Sequence, residues 1–258
     1  MSAQPSPAET SMTLVEHLTE LRRRLVICVL AVAIGMIIGF IAYDWVIDIL
    51  LNPYKQVVRQ DPSSSAIGEN LLATDPLEGF SVRMKTSTYA GIGLAMPVIL
   101  WQIWKFVTPG LYEHEKRYAV PFVASALSLF VLGAGLAYYT LPRAIDFLVD
   151  IGGDDLVTAY SPGKYFQLIT YMMLAFGIGF EFPIVLVFLQ MAGILQTDTL
   201  RRGRRFAIVG ILVLVAVITP SGDPISMLML SVPMVVFYEI AILIGSLITK
   251  RQAARASA

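Results

Sequence analysis

Residues 16–43 read EHLTELRRRLVICVLAVAIGMIIGFIAY, a charged segment that runs directly into an apolar one. The apolar part, Val26 to Tyr43, has about the length that a helix needs to cross the hydrocarbon core of a bilayer. No small-x-small cleavage pattern follows it, so we predict an uncleaved first membrane span rather than a signal peptide. The arginines in front of it, Arg22–Arg24, favour a cytoplasmic N-terminus.

The composition of the whole chain indicates the same class of protein. Of the 258 residues, 56% are hydrophobic and only 15% are charged, and the mean hydropathy is +0.70. A soluble domain has about a quarter of its residues charged. The net charge of zero gives no indication of nucleic-acid binding, and the single cysteine, Cys28, excludes an internal disulfide. We therefore predict an all-α integral membrane protein with no nucleic-acid partner.

Six apolar segments are predicted to be transmembrane helices. They cover about residues 25–43, 84–106, 121–141, 165–192, 206–218 and 225–248. The fifth is apolar over only thirteen residues, which is about 20 Å of helix against a hydrocarbon core about 30 Å thick. Two explanations stay open: the bilayer thins beside this helix, or Arg204 and Arg205 snorkel to the interface.

The distribution of charge predicts the orientation of these helices. The N-terminus, the segments 105–120 and 193–205, and the C-terminus carry thirteen of the 19 lysines and arginines. Eleven of the 19 acidic residues lie in the opposite loops. Because loops rich in lysine and arginine stay in the cytoplasm, both termini are predicted to be cytoplasmic.

The chain is predicted to contain one membrane domain, residues 13–249. A disordered cytoplasmic tail, residues 1–12, precedes it, and a second cytoplasmic tail, residues 250–258, follows it. Inside the domain, residues 44–83 and 142–164 are predicted to be polar loops.

Catalytic motifs are missing from the sequence. It has no phosphate-binding Gly-x-x-x-x-Gly-Lys-Ser/Thr loop, no His-Glu-x-x-His and no Gly-x-Ser-x-Gly, and its only histidines are His17 and His114. An enzyme is therefore the weakest hypothesis, and no cofactor or metal is predicted. A proton-coupled transporter of small solutes that uses Glu181 is kept as the alternative to a binding protein.

The acidic residues before the first span have ordinary local explanations. Thr13 and Glu16 fit a capping box at the start of a helix. Glu20 precedes Arg23 and Arg24 by three and four residues, the spacing of an ion pair within a helix. On local grounds alone, that pairing is the favoured interpretation of Glu20.

Polar groups inside the predicted spans are more informative. Glu181 lies in the middle of span four, and an ionisable residue at that depth indicates function. Glu239, in span six, is interpreted as a protonated carboxyl that is hydrogen-bonded between helices. Gly35 and Gly39 form a Gly-x-x-x-Gly pattern that predicts a close helix contact. Kinks or other structural roles are predicted at four prolines: Pro53, Pro97, Pro183 and Pro233.

Several motifs together resemble one family, although no single motif is decisive. They are residues 17–22, 97–106, 109–112, 115–117, 176–177, 180–183 and 219–220, together with Asp223 and Pro233. In this order and topology they resemble the TatC family, the multi-span core of the twin-arginine protein translocase. The resemblance covers about residues 13–248.

The resemblance implies a receptor for folded proteins whose signal peptides carry two consecutive arginines. It implies a concave, cupped-hand arrangement of six helices, self-association in a larger complex within membrane lipid, and the single-span partners TatA and TatB. With no nucleotide site in the sequence, the implied energy source is the transmembrane proton gradient.

The resemblance also implies roles for individual residues. Glu20, Phe106 and Glu115 match the signal-binding positions of the family, with Leu21 and Arg22 in the same motif. Two cytoplasmic carboxylates can each bind a guanidinium through paired hydrogen bonds, which lysine cannot reproduce.

Two further regions of the chain match functional positions of the family. Glu181 matches the intramembrane glutamate. A contact for a partner helix is expected at Asp223 and Met227, where the family often has a glutamine in place of Met227.

Overall fold

The computed structural model describes residues 14–60, 70–73, 75–107, 119–152, 160–191, 193–219 and 222–256. These residues form eight helices and no strand, which confirms the all-α prediction. The helices are α1 (Leu14–Ile41), α2 (Tyr43–Gln60), α3 (Glu78–Val107), α4 (Ala119–Gly152), α5 (Pro162–Gly179), α6 (Phe182–Met191), α7 (Thr197–Ile218) and α8 (Pro224–Ala256).

Four segments of the described chain are long and apolar enough to cross a membrane. They are Val15–Ile41, Val120–Gly152, Pro162–Met191 and Pro224–Leu247, and they coincide with predicted spans one, three, four and six. Predicted span two lies in α3, which contains the polar stretch Thr86–Thr88, and predicted span five lies in α7, whose first half is basic. The six-span count and the orientation remain predictions.

Residues 44–83 were predicted to be a loop, but the structure shows that most of them are helical. Residues Tyr43–Gln60 form α2, and α3 begins at Glu78. The buried residues of α2 are Leu50, Pro53, Tyr54, Val57 and Val58. Their spacing of three and four residues is that of a helix with one apolar face. This stretch is too polar to be a span, but its amphipathic period is sufficient for a helix that packs against other helices.

The ends of two other predicted spans also need correction. The loop at residues 142–164 begins too early, because α4 continues through Pro142 to Gly152. Helix α7 begins at Thr197, nine residues before the apolar segment of predicted span five. The thirteen apolar residues are thus the second half of a 22-residue helix.

Predicted span four is two helices rather than one. Helix α5 ends at Gly179, and the N–H of Glu181 donates to the carbonyl oxygen of Ile178 at 3.0 Å, a tight turn. Pro183 is the second residue of α6, where a backbone donor is not needed. The predicted disturbance by Pro183 therefore takes the form of a break that puts Glu181 between two helices. The other three prolines, Pro53, Pro97 and Pro233, lie inside α2, α3 and α8.

Helices α1 and α3 pack closely and run in opposite directions. A Cβ added at Gly35 would lie 2.6 Å from the carbonyl oxygen of Gly91, and one at Gly39 would lie 3.1 Å from that of Ser87. The close contact predicted from Gly35 and Gly39 is therefore confirmed. Because the helices are antiparallel, the beginning of α1 lies beside the end of α3.

A tyrosine cluster ties α2 to the rest of the fold. The hydroxyl of Tyr165 donates to the carbonyl oxygen of Leu50 at 2.6 Å, and that of Tyr138 donates to Ile49 at 2.9 Å. The ring of Tyr54, which is fully buried, lies 5.5 Å from those of Tyr160 and Tyr165. The hydroxyls of Tyr138 in α4 and Tyr165 in α5 both bond to backbone carbonyls of α2, so they fix α2 against α4 and α5.

Candidate functional site

The beginning of α1 and the end of α3 bring two of the predicted site residues together. The rings of His17 and Phe106 are stacked, with their centroids 4.5 Å apart and their planes at 25°. Glu20 is three residues after His17, which puts it on the same face of α1, one turn further along. Phe106 and Glu20 therefore belong to one surface, which we call the α1–α3 end.

The position of Phe106 is fixed by the residue two places before it. Trp104 is 3% exposed, and its ring lies 4.4 Å from that of Phe122 in α4 and 6.3 Å from that of Phe188 in α6. The end of α3 is thus anchored to two other helices by aromatic packing. The ring that stacks on His17 is consequently held on a rigid element.

Glu20 is paired within its own helix. Nη2 of Arg24 donates to Oε1 of Glu20, and the two side chains are only 16% and 20% exposed. The other carboxylate oxygen, Oε2, and Nε of Arg24 are buried and have no hydrogen-bond partner in the described part of the chain. The pair therefore uses one hydrogen bond, although a guanidinium and a carboxylate can form two.

The remaining predicted residues at this end differ in exposure. Leu21 is 43% exposed and Arg22 is exposed as well, so both are open to a ligand. Glu115 lies outside the described residues, as does Thr13 of the predicted capping box. Binding of one signal-peptide arginine by each of Glu20 and Glu115 therefore stays a prediction.

Glu181 lies at the break between α5 and α6. Its side chain is half-buried, and Oε1 has no hydrogen-bond partner among the described residues. The residue before it, Phe180, is 4% exposed and packs edge-to-face on Phe237 of α8, at 5.1 Å. Among the described residues, Oε1 of Glu181 is thus a buried acceptor with no donor, next to the turn that joins two helices.

Glu239 is hydrogen-bonded between two helices. Its Oε2 accepts from Nη2 of Arg204 in α7 at 2.8 Å, and the two side chains are 40% and 51% exposed. The carboxyl lies between two helices, as predicted, and its partner there is a guanidinium. This contact could not be predicted from the sequence, because the two residues are 35 positions apart.

Gln190 is a functional candidate that the sequence reasoning did not single out. Its Nε2 donates to the carbonyl oxygen of Ala241 at 3.0 Å, and its Oε1 accepts from the hydroxyl of Thr197 at 3.1 Å. A Cβ at Gly245 would overlap the amide group. One side chain therefore joins α6, α7 and α8, and the signal for it was a polar residue at the end of an apolar run.

The turn between α7 and α8 contains the predicted partner-contact residues. Asp223 is 2% exposed, and its Oδ1 accepts from the N–H of Ser226 at 2.6 Å, which caps the start of α8. Met227 is partly buried and packs against the core. The cap gives Asp223 a structural role, and the partner contact remains a prediction.

An apolar cavity of about 210 Å³ lies between α2, α3, α4 and α5. Its polar lining residues are Thr86, Tyr89 and Thr170, and no carboxylate, ammonium or guanidinium group lines it. A path for a charged or strongly polar solute needs such groups. The cavity therefore does not support the solute-transporter alternative.

These features define a helical membrane protein. The family model described as "Sec-independent protein translocase protein (TatC)" matches residues 16–233. The chain belongs to the TatC family. It is accordingly a component of the twin-arginine protein translocase and not an enzyme.

Relatives and solved structures agree with this assignment. A TatC protein of Frankia casuarinae is 39% identical, with 96% of this chain and 69% of the relative aligned. One of Aquifex aeolicus is 38% identical over 93% of this chain and 98% of the relative. A crystal structure described as "Twin Arginine Translocase Receptor- TatC" matches with a TM-score of 0.74 and 37% identity, over 91% of this chain and all of that one.

Proposed function

We propose that this chain is the receptor subunit that recognises twin-arginine signal peptides at the cytoplasmic face of the inner membrane. In this proposal both termini are cytoplasmic, and the α1–α3 end faces the cytoplasm. TatA and TatB are the single-span partners, and the proton gradient drives translocation. The similarity to a crystal structure described as a twin-arginine translocase receptor supports the proposal.

The observation that carries this proposal is the state of the Glu20 carboxylate. It is largely buried, it lies on the face that holds Phe106, and one of its oxygens has no hydrogen-bond partner in the described chain. A carboxylate in that state gains from a guanidinium that reaches both oxygens, and lysine offers no planar fork. Phe106 and exposed Leu21 supply apolar surface for the side chains next to the arginines.

Peptide binding to the purified protein tests the proposal. Glu20→Gln is expected to weaken binding of a twin-arginine signal peptide about 10- to 100-fold, because a hydrogen bond to a charged group is lost. Glu115→Gln is expected to act in the same direction. A Lys-Lys version of the peptide should bind weakly to all variants. Equal losses for both peptides would argue against specific recognition of arginine.

Glu16→Gln is the matched control for Glu20→Gln. Glu16 is exposed and lies one turn earlier on α1, so its substitution removes the same charge without changing the buried carboxylate. Photocrosslinking from positions 20, 106 and 115 should reach the residues around the two arginines of a bound precursor. Crosslinks from none of these positions would overturn the location that we propose.

Glu181 is proposed to act after recognition, when a polar group of the signal peptide or of a partner helix enters the membrane. The support is its unpartnered Oε1 at the break between α5 and α6. Glu181→Gln should leave peptide binding unchanged and lower transport of a folded precursor into membrane vesicles. Unchanged transport would remove Glu181 from the mechanism.

A further inference from the structure

The contact between Arg24 and Glu20 has a consequence for the site proposed above. Both side chains are on one helix, four residues apart, and they share a single hydrogen bond. An arginine of the protein itself thus occupies the carboxylate that is proposed to bind an arginine of the signal peptide. Resting on that proposed function, we infer that Arg24 is a built-in competitor that the incoming arginine must displace.

The geometry of the pair allows such an exchange. Oε2 of Glu20 and Nε of Arg24 are both buried without a hydrogen-bond partner in the described chain, so the pair leaves polar atoms unsatisfied on both sides. Buried polar atoms without partners are costly. A guanidinium that approaches from outside α1 is not restricted by the helix backbone, and it can bond to both carboxylate oxygens.

The exchange need not disturb the fold. The pair lies within one helix and joins no two elements, in contrast to the packing of Gly35 against Gly91 that holds α1 on α3. After displacement, Arg24 needs only to rotate its side chain toward water or lipid phosphates, since long basic side chains reach the interface readily. The structural change is therefore confined to one side chain.

Arg24 lowers the affinity of Glu20 for any cation, but it does not determine the preference for arginine over lysine. Any cation that binds Glu20 must first displace Arg24, so the affinities for arginine and lysine peptides fall by the same factor. The ratio between the two peptides comes from the fork of the guanidinium. Because the lysine contact is weaker, the same factor lowers the affinity of the Lys-Lys peptide to a level at which it is not recognised.

Peptide binding to the full-length protein in detergent tests the inference. Arg24→Gln is expected to tighten binding of the twin-arginine peptide about tenfold, which corresponds to about 1.4 kcal/mol. It should tighten binding of the Lys-Lys peptide by a similar factor, so that the ratio stays the same. Unchanged or weaker binding of both peptides would overturn the inference.

Arg23→Gln is the matched control, because Arg23 is adjacent, exposed and of the same charge. It removes the same positive charge from the surface without releasing Glu20, and it should change affinity by about twofold or less, an effect that salt screens. If Arg23→Gln and Arg24→Gln tighten binding equally, the cause is general electrostatics and the inference is wrong.

A double variant, Glu20→Gln with Arg24→Gln, distinguishes the further inference from the proposed function. In a Glu20→Gln background, Arg24→Gln should have no further effect, because there is no carboxylate to release; a persisting tenfold gain would overturn the inference. If Glu20→Gln alone leaves twin-arginine binding unchanged, the proposed function fails as well. Should Arg24→Gln fail to fold, Arg24→Met keeps the apolar stem and carries the same expectation.

Discussion

The two regions of the molecule that carry a glutamate–arginine pair are built differently. At the α1–α3 end, Glu20 and Arg24 are neighbours on one helix and mostly buried, and one polar atom of each has no hydrogen-bond partner in the described part of the chain. In the α6–α8 region, defined by Gln190, Arg204 and Glu239, the pair joins α7 to α8 and is about half exposed. A pair within one helix holds no tertiary structure, so it is free to exchange partners. A pair between helices is part of the scaffold.

The largest expected effect comes from separating α1 from α3. A Cβ at Gly91 would lie 2.5 Å from the backbone nitrogen of Met36, so Gly91→Ala should destabilise the protein by about 2–3 kcal/mol. The measurement is the thermal midpoint in detergent. Twin-arginine binding should fall as well, since Phe106 and Glu20 come from the two separated helices.

Gly93→Ala is the control for that substitution. It is two residues away in the same helix, and no atom lies within 4 Å of its added Cβ. Alanine is also the better helix former, by about 1 kcal/mol, so this variant should be as stable as the parent protein or more so. Equal destabilisation by both substitutions would show that the α1–α3 contact is not what limits stability.

A smaller effect is expected from Gln190, which joins α6, α7 and α8. Gln190→Leu removes the donor to Ala241 and the acceptor for Thr197, and it should destabilise the protein by about 1–2 kcal/mol. Signal-peptide binding should be unchanged, because the α1–α3 end is intact. A loss of binding as large as that of Glu20→Gln would mean that the Gln190 contacts are also needed for signal-peptide binding.

The pair between α7 and α8 should contribute less again. A double-mutant cycle of Arg204→Gln and Glu239→Gln is expected to give a coupling free energy of about 0.5 kcal/mol, since both side chains are substantially exposed. Unfolding measurements at low and high salt check this, and the coupling should shrink as salt rises. A coupling above about 2 kcal/mol would mean that the pair is desolvated.

The smallest effect is expected from the tyrosine cluster, which belongs to neither of these two regions. Burial raises the pKa of Tyr160 to about 12, with further contributions from Tyr54 and Asp146. Since the folded-state pKa is above the usual value of about 10, stability is fully present below pH 10 and falls as the pH rises toward 12. Tyr160→Phe should reduce that loss. An identical pH profile for the variant would exclude Tyr160 as its source.

Much of the fold could be predicted because hydropathy and helical period are local properties of a chain. The apolar runs gave the positions of spans one, three, four and six, and Gly35 with Gly39 indicated a close contact. Helix α2 was missed because its apolar residues are separated by polar ones, and only its period of three and four shows the buried face. Its packing partners, α4 and α5, are distant in sequence.

The candidate site was predictable only in part. Glu20, Phe106 and Glu115 were named from the family resemblance, because each has an ordinary local explanation in the sequence. The stacking of His17 on Phe106 joins residues 89 positions apart, and the link from Arg204 to Glu239 joins residues 35 apart. Contacts of this kind depend on which helix faces pack together, and hydropathy does not encode that choice.

The sequence by itself determined a membrane-embedded helical protein, the sites of its proline and glycine features, and the residues that resemble TatC. These follow from transfer free energies and backbone sterics, which act on each segment separately. Only the tertiary structure decided that α1 and α3 pack side by side and antiparallel, that Gln190 joins three helices, and that Arg24 rather than Arg23 binds Glu20. Those outcomes depend on how side chains from separate turns and helices share a limited space.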